Sequence, residues 1–303
     1  MIANTPVVVA GRKSTPELTV FFYETRGYQP VWVGSNGLSE KGQALIEALG
    51  EVDRDALDPR LYVPSPLPAE GASADDLARA EIEISAGLLR YAHDVSIGIA
   101  PPNDSDENWR IADKVVDQTG ILMSAATAPD MAAYVDSLAP QDTIYTGLRK
   151  ALKHYRTLAT AGVWQPLEVA VLQPGMTDES VPSLRRSLVL LGDLPEGTDV
   201  ESTLYDEQVV DGMRRFQRRH GLSADGTFGK NTRAAFNVSP QERVQQIIVN
   251  MERRRWMPTD LGAHHIIVNL PDYRLEVIEE ETPVLDMRVV VGSRHGRPRY
   301  SAT

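Results

Sequence analysis

The sequence of 303 residues contains no cysteine and no long apolar segment. The absence of cysteine excludes disulfides, thiolate catalysis and cysteine-based metal sites from this chain. No apolar run approaches the roughly 18 residues that a membrane-spanning helix needs. The first twenty residues lack the basic stretch that precedes the apolar core of a signal peptide. The histidines have no partner cluster with the spacing of a metal site, so we predict neither a metal nor a cofactor.

Positive charge is also scarce outside one region. The chain has a net charge of −11, whereas residues 211–256 carry ten basic and four acidic side chains. A protein that holds duplex DNA spreads positive charge more widely, so this pattern argues against nucleic acid as a partner. A basic patch of this size fits a smaller anionic partner or an acidic neighbouring domain.

The N-terminal half of the chain has the apolar spacing of amphipathic helices. The predicted helices include segments near 39–49, 73–94, 129–138 and 142–161. Ser39 is placed as a helix N-cap, and Gly50 follows the end of the same helix. Connectors rich in proline, which cannot continue a helix, separate these segments. This half therefore reads as a mostly helical domain.

Residues 180–240 form a second unit with three short helices. In the first helix, leucine and valine recur at spacings of 3, 4 and 3, at Val181, Leu184, Leu188 and Leu191. The second helix, near 206–220, is predicted to end at Gly221. Asp225-Gly226 then forms a tight turn, because glycine readily adopts positive φ, and a third helix follows at 231–236.

A helix at 241–256 leads into a region where the apolar pattern changes to a period of two, which is typical of β-strands. Three antiparallel strands with one apolar face are predicted, carrying Ile266, Val268, Leu270, Tyr273, Leu275, Val277, Leu285, Met287, Val289 and Val291. A small sheet is marginal unless it packs on another element, and the last twelve residues are polar. We therefore expect this sheet to be the first part of a larger β domain that continues beyond this chain.

An ordered set of motifs runs through the second unit, namely Phe216-Gln217, Gly221-Leu222, Asp225-Gly226, Gly229 and Thr232. This set resembles the type-1 peptidoglycan-binding domain, a module of three helices. The following residues resemble the junction into the catalytic domain of the large L,D-transpeptidases of Gram-negative bacteria, and they are Asn250, Arg253, Arg255-Trp256, Pro258, Val268-Asn269 and Val291-Gly292. Residues 22–49 and 55–62 resemble the helical scaffold domain of the same enzymes.

The resemblance implies an α+β multidomain architecture. Its expected parts are a mostly helical scaffold domain (1–165), a linker (166–179), a three-helix peptidoglycan-binding domain (180–240), a connecting helix (241–262) and an incomplete antiparallel β catalytic domain (263–303). Enzymes of this family form 3-3 cross-links between diaminopimelate residues of peptidoglycan through a cysteine thioester. This chain has no cysteine, so no catalytic residue can be transferred to it.

Two functional interpretations remain open at this point. In the first, the chain is the non-catalytic N-terminal part of a periplasmic transferase that acts in cell wall biogenesis and cell shape. In the alternative, it is a catalytically silent peptidoglycan-binding scaffold or interaction protein. The resemblance implies glycan strands, stem peptides and cell-wall synthesis proteins as partners, and no nucleic acid. Contact with the membrane would require an N-terminal anchor outside this chain.

The resemblance also implies a peptidoglycan-binding site beside the Asp225-Gly226 turn. The candidate residues are Arg214, Gln217, Arg218, Asp225, Gly226 and Phe228. Four arginines, at 214, 215, 218 and 219, lie on one side of the predicted helix. Their role stays open between a solvated helix face, a site for muropeptide carboxylates and a contact with an acidic neighbouring domain. Backbone geometry alone would also explain the Asp-Gly turn.

Overall fold

The structure is a computed structural model that describes residues 8–9, 12–13, 16–100, 109–110, 114–258, 260–270, 273–280, 282–290 and 300–301. Val291 and Gly292, which carry part of the resemblance, lie outside the described residues. Within those ranges, no helix combines the length and the apolar character that a membrane span requires.

The described residues form ten α-helices and nine short strands. The helices are α1 (Pro16–Thr25), α2 (Glu40–Gly50), α3 (Ala74–Ser96), α4 (Gln118–Thr127), α5 (Met131–Ser137), α6 (Thr143–Ala161), α7 (Val181–Leu190), α8 (Glu207–Arg219), α9 (Lys230–Phe236) and α10 (Pro240–Trp256). The strands are β1 (Val8–Val9), β2 (Arg12–Lys13), β3 (Val33–Gly34), β4 (Gly37–Leu38), β5 (Trp109–Arg110), β6 (His264–Asn269), β7 (Arg274–Glu279), β8 (Thr282–Arg288) and β9 (Tyr300–Ser301). This architecture is α+β, as the sequence predicted.

The helices of the N-terminal half pack around one apolar core, in which Trp32, Leu45 and Tyr91 are fully buried. Local signals start these helices where they were predicted. Ser39 accepts a hydrogen bond from the backbone N–H of Gly42 at 3.0 Å, which satisfies one of the free donors at the start of α2. The helices predicted at 39–49, 73–94, 129–138 and 142–161 are all confirmed within about two residues.

Helix α10 belongs to the same core, although residues 162–239 separate it from α6 in the chain. Ile247 and Met251 of α10 are buried in the N-terminal core and pack on α6. At the other end of this pair, the side chain of Gln241 donates to the carbonyl of Ala159 at 3.1 Å. The second unit is therefore inserted between two helices of the first body, α6 and α10.

The entry and exit of this insertion are joined by one side chain. Asn237 accepts a hydrogen bond from the backbone N–H of Leu167 and donates to the carbonyl of the same residue, both at 3.0 Å. Helix α10 then begins with a capping box, in which Ser239 and Glu242 each bond the backbone N–H of the other. These contacts hold the two connections side by side.

A buried polar network ties α10 to the rest of the first body. The carboxylate of Asp55, which is fully buried, accepts hydrogen bonds from Tyr91, Tyr145 and Arg149 at 2.7–3.2 Å. The guanidinium of Arg255 in α10 donates to the carbonyl of Asp55 and to the hydroxyl of Tyr145. Because these groups come from four separate segments of the chain, the network fixes how those segments pack.

The predicted three-strand meander is confirmed, with β6, β7 and β8 adjacent and antiparallel in that order. Its register places Ile266 opposite Val277 and Val268 opposite Leu275, so the apolar residues share one face. Ile266 is 62% exposed, and no described element covers this face. The sheet therefore presents apolar side chains to solvent.

Helix α4 was not predicted, and its sequence explains why. The segment QTGILMSAAT contains glycine and threonine and has no clear apolar stripe. Asp117 caps its start by accepting from the backbone N–H of Gly120 at 2.9 Å, and burial of Leu122 and Ala125 against α1 and α3 holds it in place. Tertiary packing, more than local propensity, decides this helix.

Candidate functional site

The inserted unit has a core of its own, formed where α7, α8 and α9 meet. Its buried apolar residues include Leu184, Leu188, Val209, Met213, Phe216 and Phe236. Asp206 caps α8 by accepting from the backbone N–H of Val209 at 3.1 Å. At the other end, Leu222 N–H donates to the carbonyl of Gln217 at 2.9 Å, with Gly221 at a φ of 66°. This is a Schellman motif, and it confirms the predicted end of the helix at Gly221.

Gln217 lies in this core and organises the turn after α8. It is 1% exposed. Its amide nitrogen donates to Asp225, to the carbonyl of Thr227 and to Thr232 at 2.9–3.1 Å, and its amide oxygen accepts from the backbone N–H of Gly226 at 2.9 Å. All of its hydrogen-bonding groups are therefore used inside the domain. Gln217 thus fixes the position of the turn from within the core.

The Asp225-Gly226 turn requires the residue types that occupy it. Gly226 has a φ of 79°, and a Cβ at this position would lie 2.7 Å from Cγ1 of Val210. Both backbone groups of Gly226 have hydrogen-bond partners, since its N–H donates to Gln217 and its carbonyl accepts from the hydroxyl of Tyr205 at 2.8 Å. Asp225 is exposed and uses only Oδ1 for its bonds to Gln217 and to the N–H of Thr227. Its second carboxylate oxygen thus remains available to a ligand.

Phe228 is also placed below the surface. Its side chain is fully buried, and its backbone exchanges two hydrogen bonds with Leu172 at 2.9 and 3.1 Å. Leu167 and Leu172, which both fall within the segment expected to be a linker (166–179), are buried in the same core. This segment therefore packs as part of the inserted unit.

Three of the four clustered arginines have partners within the chain. Arg219 forms a two-point ion pair with the carboxylate of Asp193, with distances of 3.1 and 2.5 Å, and Arg215 donates twice to the carbonyl of the same residue. Arg214 lies 3.3–3.4 Å from Glu207 and Asp211. Arg215 and Arg219 thus hold the loop after α7 against α8, a structural role that the sequence left open.

The remaining arginine is free to meet a ligand. Arg218 is exposed, and its side chain has no ion pair or hydrogen-bond partner among the residues described. It follows Arg214 by one turn on α8, so the two side chains are neighbours. The Nε of Arg214 lies 3.4 Å from the position that a Cβ at residue 226 would occupy. Arg214, Arg218 and Asp225 therefore form the exposed part of the candidate site, which we call the turn surface.

A buried arginine that the sequence did not single out supports the same domain. Arg185 is 1% exposed and donates to the carbonyls of Asp199 and Leu204 and to the carboxylate of Asp206 at 2.6–3.0 Å. Burial is the largest single effect on Asp206 and opposes its ionisation, but the hydrogen bond and charge of Arg185 together with the backbone N–H groups of Gln208 and Val209 lower the pKa of this carboxyl. The sequence signal was available, since Arg185 follows Val181 of the apolar stripe by four residues and so lies on the same face of α7.

His220 lines a small pocket together with Tyr155 and Arg243 of the first body. Its ring stacks on Phe216 with centroids 4.0 Å apart, and its Nδ1 lies 2.8 Å from the carbonyl of the same residue. Burial lowers the pKa of His220 to about 4, despite that bond; the nearby cations Arg219 and Arg243 lower it further, and Asp193 acts in the opposite direction. His220 is therefore neutral in the folded protein at neutral pH.

We expect this histidine to make stability depend on pH. Between about pH 6.5 and 4 the unfolded chain binds a proton at His220 that the folded chain does not, so stability falls as pH decreases through this window. The contribution to the slope is at most about 1.4 kcal/mol per pH unit. Urea denaturation between pH 7.5 and 4 should show a smaller slope in His220→Gln than in the exposed control His154→Gln. Equal slopes in the two variants would contradict this assignment.

The comparisons with known families agree with both units. Residues 18–152 match the family described as "Scaffold domain", and residues 177–236 match the family described as "Putative peptidoglycan binding domain". No curated protein matches the chain. The two domains support a role associated with the cell wall. The chain thus contains a scaffold domain followed by a peptidoglycan-binding domain, a combination consistent with the N-terminal region of an L,D-transpeptidase.

Proposed function

We propose that this chain is the non-catalytic N-terminal part of a periplasmic L,D-transpeptidase that forms 3-3 cross-links, and that its inserted domain holds peptidoglycan at the turn surface. The observation that carries the proposal is the contact set of Gln217. This side chain joins Asp225, Gly226 and Thr232, which belong to the motif that defines the resemblance. Hydrogen bonds among the motif residues thus hold the turn rigidly in place beside Arg214 and Arg218.

The chemistry of the turn surface fits a glycan with attached peptides. Guanidinium groups donate in a planar fork that matches carboxylates, which the peptide stems of peptidoglycan carry. The free oxygen of Asp225 can accept from a sugar hydroxyl or an amide N–H. Gln217 and Phe228 are buried and do not contact the ligand directly: Gln217 holds the turn by hydrogen bonds, and Phe228 fills the core. Substitutions at these two positions would therefore affect binding through the shape of the turn.

The sheet of β6–β8 supports the transpeptidase part of the proposal. A row of apolar side chains that includes Ile266, Leu285 and Met287 is exposed on one face. An exposed apolar face of this kind marks a surface that packs on another element. We propose that residues 263–303 are the first strands of a catalytic domain whose further strands cover this face. The resemblance at Val268-Asn269 motivates this assignment.

Retention on purified peptidoglycan tests the binding part of the proposal. The double variant Arg214→Gln/Arg218→Gln is expected to bind about tenfold more weakly than the unchanged chain, since two charge-assisted contacts are removed. The control Arg79→Gln/Arg186→Gln removes the same charge from exposed arginines elsewhere and should bind normally. Equal retention of the two double variants would remove the turn surface from the proposal.

The mass of the protein that the native cell produces tests the transpeptidase part. A mature mass well above the 33.4 kDa of this chain is expected, and the additional part should contain a reactive cysteine. A mass equal to 33.4 kDa would favour the alternative, a catalytically silent scaffold that binds peptidoglycan.

A further inference from the structure

The scaffold body carries a groove that the peptidoglycan-binding domain does not contribute to. It lies between α6 and the turn at Val52–Asp55 and has a volume of about 1010 Å³. This volume is at the upper end of the range for ligand sites, roughly 300–1000 Å³. The groove runs along α6 to Ala161, directly before Gly162, where the chain leaves this body for the inserted domain. Its walls differ in charge.

One wall is strongly positive. Helix α6 contributes Arg149, Lys150, Lys153 and Arg156 to the groove, and the whole helix has no acidic residue although the chain carries a net charge of −11. Their spacing places these side chains on one helix face. Arg149 is already bound to Asp55, whereas Lys150 and Lys153 are exposed and their ammonium groups have no partner in the described part of the chain. Two ammonium groups are thus available to an anion.

The hydroxyl groups of the same wall are acceptors. Thr157 donates to the carbonyl of Lys153 at 3.0 Å, and Thr160 donates to the carbonyl of Arg156 at 2.9 Å. Because each hydroxyl has one proton, only its lone pairs remain for a ligand. They suit an N–H donor, such as a peptide amide, and they do not suit a phosphate, which offers mainly acceptor oxygens.

The opposite wall carries two carboxylates beside the guanidinium of Arg54. Glu51 and Asp53 line it, with side chains 77% and 63% exposed. Asp53 contacts Arg156 across the groove at 3.4 Å, and Glu51 lies 3.9 Å from Arg54. Ion pairs at such exposure are weak, so both carboxylates remain open to a cationic group of a ligand.

We propose that this groove binds a zwitterionic peptide, with the carboxylates of the peptide on Lys150 and Lys153 and its free amine on Glu51 and Asp53. The hydroxyls of Thr157 and Thr160 accept from its amide N–H groups. Peptide stems of peptidoglycan have this chemistry, so the assignment rests on the proposed function and adds a second contact to the same polymer. The groove on the scaffold body thus binds the peptide, and it is separate from the turn surface, which lies on the inserted domain.

Binding of soluble disaccharide-peptide fragments, released from purified peptidoglycan by a muramidase, tests the groove. Calorimetry with the full chain is expected to show about tenfold weaker binding for Lys150→Gln/Lys153→Gln and unchanged binding for the control Arg79→Gln/Arg186→Gln. Acetylating the amines of the fragments, or amidating their carboxylates, should weaken binding to the unchanged chain to a similar degree.

Two outcomes would overturn the inference. They are equal affinity of Lys150→Gln/Lys153→Gln and the control, and no effect of acetylation. Retention of the same variants on whole peptidoglycan separates this inference from the proposed function. If the chain is retained and loses retention only in Arg214→Gln/Arg218→Gln, the function stands and the groove is overturned. If the unchanged chain binds neither whole peptidoglycan nor the fragments, both are overturned.

Discussion

Asp55→Asn is expected to destabilise the scaffold body by about 3–5 kcal/mol, the range for removing one partner of a buried ion pair. The carboxylate of Asp55 is fully buried and receives two N–H groups of Arg149 and the hydroxyls of Tyr91 and Tyr145. The amide of asparagine is close in size, so packing changes little. It removes the buried carboxylate partner of Arg149, leaving only the half-exposed Asp136, and it places an NH2 group opposite N–H and O–H donors.

Urea denaturation of the full chain, followed by far-UV circular dichroism, measures this effect. The matched control is Asp53→Asn, which removes the same charge two residues away from a side chain that is 63% exposed. The control should change the free energy of unfolding by less than about 1 kcal/mol. If Asp55→Asn were as stable as Asp53→Asn, the network would not hold the scaffold helices together.

Gln217→Leu is expected to destabilise the peptidoglycan-binding domain by about 2–4 kcal/mol and to abolish retention on peptidoglycan. Leucine preserves most of the side-chain volume but removes the acceptor for the buried N–H of Gly226 and the donor for Thr232. Each buried group left without a partner costs about 1–3 kcal/mol. The turn that carries Asp225 would no longer be fixed to α8.

Gln208→Leu is the matched control, because Gln208 lies on the same helix and is exposed. Proteolysis at increasing urea concentration reports on the domain, and retention on purified peptidoglycan reports on the turn surface. A Gln217→Leu variant that resists protease and binds as well as Gln208→Leu would show that the hydrogen bonds of Gln217 are dispensable.

Local features of the fold could be predicted because their physical cause lies within a few residues. Ser39 caps α2 by accepting from the backbone N–H of Gly42, which is close to it in the sequence, and Gly221 ends α8 because it can adopt positive φ. The alternation in β6 and β7 follows from the two faces of a strand. The ordered motif from Phe216 to Thr232 indicated a peptidoglycan-binding domain, which the family comparison confirms.

The depth of the candidate residues could not be predicted in the same way. Gln217 and Phe228 were expected at the surface of the site, yet polar and aromatic side chains occur both in cores and at binding surfaces. Their burial depends on α9 and on the segment around Leu172, which packs back onto the turn. The partner of Arg219 was open for the same reason, since Asp193 lies 26 residues away.

The sequence by itself determined the helices, their caps, the meander and the kind of domain that residues 180–240 form, because short-range geometry and apolar periodicity carry these features. Only the tertiary structure decided that α10 returns to the scaffold core, that Asp55 meets Arg255 across 200 residues, and that Lys150 and Lys153 face Glu51 and Asp53 across one groove. Contacts between distant segments depend on how whole helices pack, and no local pattern of residues encodes them.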